Sequence, residues 1–387
     1  MGALKVFVVA GEPSGDALGG ALMAGLRACV PDISFDGVGG PLMQAQGLIS
    51  RFDMSELSVM GLAEVLPKYR HLKRRIAQTA QAVIDVRPDV LITIDSPDFC
   101  LRVARLVKAS CAVRTVHYVA PTVWAWRSGR ARKMAQVIDH VLALFPFEPP
   151  FMTAEGMACD FVGHPVATQP KATAKQVAAF RTKHALGDAA PLVLTLPGSR
   201  AGEVARMGPV FGAALGQMAA TRPDMRVVLH VAAAVADKVK ALVKDWPVAP
   251  ILLDPRGMSA DAVLAEKLAG YAAADVALAT SGTVALELAA AGTPMVSAYD
   301  MHWLSRAIIS RMVTTDTGNL INLVTDTRTV PEVIGKDLNV TNVVKAMERV
   351  MANPTLQHSA MTQTMALLGR GGEDAGLRAA RAVLGRM

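Results

Sequence analysis

The sequence alternates short apolar runs, rich in β-branched residues, with longer helical patterns, and it does so twice along its length. The first series opens with LKVFVVA at residues 4–10 and the second with LVLTLPGSR at residues 192–200. Uninterrupted apolar runs of this length, separated by helical segments, are typical of parallel strands buried on both faces. We therefore predict an α/β fold with two Rossmann-like, doubly wound parallel sheets.

The predicted strands and helices define the domain organisation. The strands are expected at 4–10, 33–39, 89–95, 113–119, 140–145, 192–200, 226–232, 249–254, 275–280 and 293–299, with helices such as 16–28, 68–86 and 101–109 between them. A polar stretch with two prolines, residues 163–173, separates the two series. We predict an N-terminal domain over 1–165, a C-terminal domain over 166–345, and helices over 346–387 that cross back to the first domain or to a partner subunit. Ligands of such sheets bind at the carboxyl ends of the strands, so we expect one cleft shared by both domains.

The composition restricts the class of protein and of partner. Hydrophobic residues make up 52% of the chain and charged residues 19%, which excludes a disordered protein. Forty Lys and Arg against 33 Asp and Glu give a net charge of +7, which favours an anionic partner such as a phosphate, a nucleotide or a membrane surface. The four cysteines are scattered, and no D-x-D pair or His/Asp cluster suggests a metal. We expect no cofactor.

The apolar stretches predict where the chain resides. The N-terminus lacks the features of a signal peptide, and charged residues or prolines interrupt every apolar stretch before the ~18 residues of a spanning helix. We therefore expect a cytoplasmic protein whose contact with a membrane, if any, is peripheral.

The turn after the first strand, GEPSGD at 11–16, does not match a dinucleotide fingerprint. It lacks G-x-G-x-x-G, and Glu12 and Asp16 place negative charge where a pyrophosphate would lie. Binding of NAD is therefore disfavoured. Two alternatives stay open: a functional turn, or a turn in which Ser14 caps a helix and Asp16 interacts with its dipole.

Two turns in the second half suit anions better. In LPGSR, Gly198 and Ser199 are expected at a helix N-terminus with Arg200 beside them, although Ser199 could instead be a simple cap. In the segment SGTVALE, at 281–287, the turn's amides and hydroxyls suit phosphate oxygens, and Glu287 suits the two hydroxyls of a ribose.

Three further segments carry candidate functional residues. Asp98, with Asp95, follows a strand and could accept a proton from an attacking hydroxyl, or it could cap a helix. The tryptophans of 117–130 could form a sugar or lipid platform or pack between domains. Residues 57–75 join an apolar helix face to basic side chains and could lie on an anionic membrane, or could be a core helix with a solvated basic face.

Together these motifs closely resemble the lipid-A-disaccharide synthases, glycosyltransferase family 19. The resemblance runs in order from residue 6 to about 335, and the set is specific to the family although each motif alone is weak. It rests on GEPSGD (11–16), GVGG (37–40), SVMGLAEVL (58–66), SPDF (96–99), YVAPTVWAWRSGR (118–130), PFE (146–148), VGHP (162–165), LPGSR (196–200) and SGTVALE (281–287).

The resemblance implies an inverting, metal-independent glycosyltransferase of the GT-B fold on the inner face of the inner membrane. It would join UDP-2,3-diacylglucosamine to 2,3-diacylglucosamine 1-phosphate (lipid X), giving the β-1,6 lipid A disaccharide 1-phosphate and UDP. It implies Asp98 as general base and Arg200 as an essential residue, with UDP bound by Gly198, Ser199, Arg200, Ser281, Gly282, Thr283 and Glu287.

The remaining expected contacts fall into two groups. Sugar and acceptor contacts are expected from Glu12, Ser14, Gly15, Asp16, Asn322 and Glu332. Membrane and acyl contacts are expected from Val59, Met60, Leu62, Val65, Leu66, Lys68, Tyr69, Arg70, Lys73, Arg74 and Arg75. No nucleic acid partner is expected, and both a monomer and a homodimer are compatible with the sequence.

Two other functions share the same two-domain frame. One is a UDP-sugar epimerase, or a transferase to a soluble acceptor. The other is a non-catalytic module that binds a nucleotide sugar or a lipid. Release of UDP only when both lipids are present would distinguish the transferase from either.

Overall fold

The computed structural model describes residues 3–57, 62–124, 129–187, 190–301 and 315–387, with the backbone alone for residues 62–68. The chain divides into two compact units. Unit 1 comprises Met1–Thr168 and Leu368–Met387, and unit 2 comprises Gln169–Leu367.

Unit 1 is built on a six-stranded parallel sheet. Its strands are β1 (Leu4–Ala10), β2 (Ile33–Val38), β3 (Val90–Ile94), β4 (Arg114–Tyr118), β5 (His140–Ala143) and β6 (Ala158–Phe161). The strand order is β2-β1-β3-β4-β5-β6, so the order reverses between β1 and β3. Such a reversal opens a crevice at the carboxyl ends of the two strands, where ligands bind in open α/β sheets.

Helices cover the sheet of unit 1. They are α1 (Pro13–Cys29), α2 (Pro41–Gln44), α3 (Leu62–Val86), α4 (Pro97–Ser110), α5 (Gly129–Ala135) and α6 (Pro149–Thr153). Both α1 and α4 begin earlier than predicted because a proline occupies their first turn. A proline there lacks only an N–H that has no helical partner in any case, so the residue starts the helix rather than preceding it.

Unit 2 has a second six-stranded parallel sheet. Its strands are β7 (Leu192–Leu196), β8 (Arg226–His230), β9 (Ile251–Leu253), β10 (Val276–Thr280), β11 (Met295–Tyr299) and β12 (Glu332–Ile334). The order β12-β11-β10-β7-β8-β9 is that of a Rossmann fold, with the reversal between β7 and β10. Leu196 lies opposite Ala279, so the turns after these two strands start side by side.

The helices of unit 2 lie on both sides of this sheet. They are α7 (Ala174–Lys183), α8 (Ala201–Thr221), α9 (Ala236–Leu242), α10 (Ala260–Ala273), α11 (Val284–Ala291), α12 (Leu320–Thr325), α13 (Val340–Ala352) and α14 (Thr355–Leu367). Helix α13 packs on α8 and β11, and α14 packs on α11 and α12. The C-terminal segment predicted over 346–387 is divided between the two units: its residues up to Leu367 belong to unit 2, and those from Leu368 belong to unit 1. The first boundary between the units lies after Thr168, where the prediction was 165.

The last helix, α15 (Ala375–Leu384), returns to unit 1 and packs on α1. Glycines allow the two helices to approach closely, since a Cβ on Gly25 would lie 2.5 Å from the carbonyl oxygen of Gly376. Before the helix, the carbonyl of Leu368 accepts a hydrogen bond from the His164 N–H at 3.1 Å. Residues 368–387 thus complete unit 1.

The predicted strands are confirmed, since each predicted range contains an observed strand. All residues of β3 and of β7 are buried, as expected for parallel strands covered on both faces. Two strands were not predicted, β6 and β12. Both lie at a sheet edge and are short, with the sequences ACDF and EVI, so neither forms an apolar run.

Candidate functional site

The turn between β3 and α4 places Asp98 at the carboxyl edge of the sheet of unit 1. Asp95 and Ser96 both have a left-handed backbone, with φ of +50° and +43°. For residues other than glycine, this backbone conformation costs of order 1–3 kcal/mol, and such residues concentrate at functional sites. Asp98 follows in the first turn of α4, where its side chain is exposed.

A cavity of about 340 Å³ opens beside this turn. Apolar side chains from α3 and α4 form much of its wall, and Asp98 forms part of the rest. Its lining includes Glu12, Leu57, Tyr69, Leu72, Lys73, Ile76, Ser96, Pro97, Asp98, Phe99 and Arg102. We call it the unit-1 cavity.

The GEPSGD turn contributes only part of its predicted residues to this cavity. Glu12 lines it. Ser14 is exposed within the first turn of α1 and is not its cap, since Glu12 holds the N-cap position. Gly15 is buried beneath the turn.

Asp16, which was predicted as a sugar contact, is hydrogen-bonded to the backbone of unit 1. It is 3% exposed, and its carboxylate accepts hydrogen bonds from the backbone N–H groups of Gly40, Leu42 and Met43 at 2.9–3.0 Å. These are amides at the start of α2, which its own helical bonds leave unpaired. Asp16 therefore fastens α2 to α1, and its oxygens are committed to the protein.

The basic segment on α3 divides into two sets. Arg75, predicted as a membrane contact, is half-buried: its guanidinium pairs with Glu56 at 2.7 Å and lies over the ring of Phe52. Tyr69 and Lys73 line the unit-1 cavity, while Arg70 and Arg74 are exposed. Of the other predicted contacts, Val59 and Met60 lie outside the described residues, as do the side chains of Leu62, Val65, Leu66 and Lys68.

No helix in the described ranges of the chain combines the length and the apolar character that crossing a bilayer requires.

In unit 2 the turns after β7 and β10 enclose a second cavity, of about 450 Å³. All seven residues predicted to bind UDP line this cavity. Its lining includes Leu196, Gly198, Ser199, Arg200, Glu203, His230, Ala232, Lys267, Tyr271, Thr280, Ser281, Gly282, Thr283, Val284 and Glu287. We call it the unit-2 cavity.

The turn after β7 is closed by an acidic residue of α8. The Glu203 carboxylate accepts hydrogen bonds from the Ser199 and Arg200 N–H groups at 3.1 and 3.2 Å, and from the Arg200 guanidinium at 3.1 Å. Arg200, not Ser199, holds the N-cap position of α8. Gly198 has φ of +114°, and a Cβ there would lie 2.5 Å from that of Glu203, so this turn requires glycine. A carboxylate thus occupies donors that also suit a phosphate.

Glu287, on α11, has a cationic partner that the sequence did not reveal. Lys267 of α10 donates a hydrogen bond to its carboxylate at 2.6 Å. Lys267 also lies over the ring of Tyr271, and His230 meets the edge of the same ring. Burial, aided by the charge of Lys267, lowers the pKa of His230 to about 4, so this imidazole is neutral at physiological pH.

Asn322 and Glu332 form part of a hydrogen-bond network in unit 2. The Asn322 amide is 1% exposed and pairs with both backbone groups of Val330, at 3.0 Å each. Glu332 accepts hydrogen bonds from the Thr317 hydroxyl and from the Gly318 N–H. The amide of Asn322, a predicted sugar contact, thus holds the Val330 backbone, while Glu332 positions Gly318, which lies close to Ser281.

The PFE motif ends in a buried acid, Glu148, that was not among the predicted site residues. Glu148 is 3% exposed and accepts hydrogen bonds from the Leu144 and Phe145 N–H groups at 3.1 and 3.0 Å. Phe147 stacks on Phe145 and meets Trp124 edge-on. Burial raises the pKa of Glu148 to about 7 despite these amide donors.

Comparison with known proteins identifies the family to which the chain is similar. A family model described as "Lipid-A-disaccharide synthetase" matches residues 6–378. The chain is 63% identical over 384 residues to a lipid-A-disaccharide synthase of Ruegeria pomeroyi, covering 99% of this chain and 96% of that one. It is 45% identical over 386 residues to that of Rhodospirillum centenum, covering 98% and 94%.

Solved structures share the architecture at low identity. A putative UDP-N-acetylglucosamine 2-epimerase from Listeria monocytogenes aligns with a TM-score of 0.64 and 14% identity, over 98% of this chain and 95% of that one. At this identity the similarity concerns the fold alone. It confirms the predicted GT-B class, with two Rossmann-like domains.

Proposed function

The chain belongs to the lipid-A-disaccharide synthetase family, and from this premise we propose the reaction that it catalyses. It is an enzyme of lipid A biosynthesis, a UDP-sugar glycosyltransferase. Its donor is UDP-2,3-diacylglucosamine and its acceptor is 2,3-diacylglucosamine 1-phosphate. The products are the β-1,6-linked lipid A disaccharide 1-phosphate and UDP.

The observation that carries this proposal is the composition of the unit-2 cavity. It joins a Ser-Gly-Thr turn, a carboxylate and a guanidinium at the reversal point of a Rossmann sheet, where nucleotides bind in this fold. Glu287 accepts hydrogen bonds from the ribose hydroxyls. Ser281, Thr283 and Arg200 bind the diphosphate, and the positive end of α11 favours its charge.

Asp98 acts as general base in unit 1. It takes the proton of the acceptor's 6-hydroxyl while that oxygen attacks the anomeric carbon of the donor from the face opposite UDP. The bond between the anomeric carbon and the diphosphate breaks with its electron pair, which leaves on UDP. Arg200 stabilises the developing charge on the diphosphate oxygen.

The lipid substrates require access to a bilayer. Arg70 and Arg74 are exposed on α3 near the unit-1 cavity and would attract the anionic headgroups of the inner face of the inner membrane. Each such cation near an anionic surface contributes about 1 kcal/mol of binding. We place the enzyme there as a peripheral protein.

The deciding experiment supplies purified protein in detergent with the donor, the acceptor or both, without added metal. We expect disaccharide and UDP only when both lipids are present. UDP released from the donor alone would indicate a hydrolase, and a 2-epimer of the donor sugar would indicate an epimerase. No product from a folded protein that binds UDP would favour the non-catalytic binding module.

A further inference from the structure

The unit-1 cavity contains two cations that the proposed mechanism does not use, Arg102 of α4 and Lys73 of α3. Both side chains are exposed. Neither makes a hydrogen bond or an ion pair with any residue that the structure describes, whereas the neighbouring Arg75 donates hydrogen bonds to Glu56 and Gln78. The same cavity is also lined by two carboxylates, Glu12 and Asp98, so the cations are not its only charges.

The position of Arg102 relative to Asp98 follows from the helical periodicity of α4. It follows Asp98 by four residues, so the two side chains lie on the same face of the helix, with Cβ atoms about 6 Å apart. They line the same cavity without pairing with each other. Lys73 enters from α3, which packs against α4. A ligand in this cavity therefore meets two carboxylates, Glu12 and Asp98, together with the two cations.

The chemistry of these groups favours a phosphate monoester. It carries a charge between −1 and −2 near neutral pH, and an arginine fork with a lysine ammonium can bind its oxygens together. The cavity volume of about 340 Å³ is at the lower end of the ~300–1,000 Å³ of small-molecule sites. It fits a sugar phosphate head group and leaves acyl chains to the outside.

We propose that Arg102 and Lys73 bind the anomeric phosphate of the acceptor and thereby select an acceptor that carries it. This inference rests on the proposed function. It assigns the two residues a positioning role, because the phosphate is remote from the bond that forms. With the phosphate held by Arg102 and Lys73, the opposite end of the sugar, which bears the 6-hydroxyl, is directed toward Asp98.

The test compares two acceptors, 2,3-diacylglucosamine 1-phosphate and its dephosphorylated form, with the wild type and with Arg102→Gln and Lys73→Gln. For the phosphorylated acceptor we expect Arg102→Gln to raise KM about 10- to 100-fold with little change in kcat, as for loss of a charged hydrogen bond. For the dephosphorylated acceptor, wild type and variant should be alike. Arg102→Lys should restore part of the loss.

The matched control is Arg105→Gln, an exposed arginine on the same helix that does not line the cavity. It should leave both acceptors unaffected. An equal rise in KM for both acceptors would show that Arg102 acts on the fold and would overturn the inference, as would no rise with either. A wild type that forms no product from both lipids would overturn the proposed function, and this inference with it.

Phosphates of bilayer lipids are the other source of the same chemistry. Binding of the wild type and Arg102→Gln to phosphatidylglycerol vesicles separates the two. We expect equal binding, since a cation inside the cavity serves the acceptor. Weaker vesicle binding by the variant with an unchanged KM would assign Arg102 to the membrane surface and overturn the inference.

Discussion

The two cavities lie at equivalent positions of two parallel sheets, yet they hold their charges differently. In the unit-2 cavity the acids have cationic partners, Glu287 with Lys267 and Glu203 with Arg200. In the unit-1 cavity, Asp98 makes no hydrogen bond or ion pair with the residues described there. A ligand of unit 2 meets acids that already hold a cation, whereas a ligand of unit 1 meets, in Asp98, a carboxylate without an ion pair among the described residues.

This contrast indicates a division of labour. Paired charges keep their side chains in place before a ligand arrives, which suits the recognition of a nucleotide that is the same in every cycle. A general base must be free to take a proton, so a permanent cationic partner that stabilises its charged form would reduce its basicity. None of the residues that the structure describes forms an ion pair with Asp98, which fits the role that we propose for it.

The largest effect is expected from Asp98→Asn. The amide keeps the size of the side chain and cannot accept a proton, so kcat should fall by about 10²–10⁴. The affinity for UDP, measured by calorimetry, should be unchanged because UDP is assigned to unit 2. Asp85→Asn, an exposed position near the end of α3, is the control and should keep full turnover. Full turnover in Asp98→Asn would remove this residue from the mechanism.

The second-largest effect concerns the pH dependence of folding stability, which we expect a buried acid of unit 1, Glu148, to cause. Burial raises the pKa of Glu148 to about 7 in the folded protein. The folded state therefore binds a proton that the unfolded state releases near its ordinary pKa of about 4.3, so stability falls as the pH rises from about 4.3 to 7. At 1.36 kcal/mol per pKa unit, this loss is about 4 kcal/mol.

Glu148→Gln should remove that contribution. Both amide donors reach the same carboxylate oxygen, Oε2, which the glutamine oxygen can replace. We expect urea unfolding of the variant to depend less on pH between 5 and 8 than that of the wild type. Glu155→Gln, a partly exposed acid paired with Arg132, should follow the wild type. Identical pH profiles for Glu148→Gln and wild type would show that Glu148 does not titrate in this range.

The sequence predicted the fold and part of the candidate site because these leave local patterns. Buried parallel strands such as β3 and β7 are continuous apolar runs, and LPGSR follows its strand directly. Lys267 left no such pattern, since it meets Glu287 only through the packing of α10 beside α11. Asp16 and Asn322 were placed in the site because their partners, backbone groups distant in sequence, cannot be seen in the sequence.

The smallest effect tests whether the ion pairs of unit 2 oppose the nucleotide. Glu203 occupies the Ser199 and Arg200 amides and one arm of the Arg200 guanidinium, which are donors that we assign to the diphosphate. Glu203→Gln keeps an acceptor for the amides and removes the negative charge. Since a surface pair of this kind contributes about 0.2–1 kcal/mol, UDP should bind about 1.4- to fivefold more tightly, as calorimetry would measure.

The control for this variant is an acid of α13 whose partner lies at the far end of α8. Glu348 pairs with Arg222 at 3.3 Å, beside the C-terminus of α8, and Glu348→Gln should leave the affinity for UDP unchanged. Tighter binding by Glu203→Gln alone would mean that the carboxylate competes with the diphosphate for the turn. Weaker binding would mean the reverse, that Glu203 orients Arg200 for the ligand and that the internal pair prepares the site rather than blocking it.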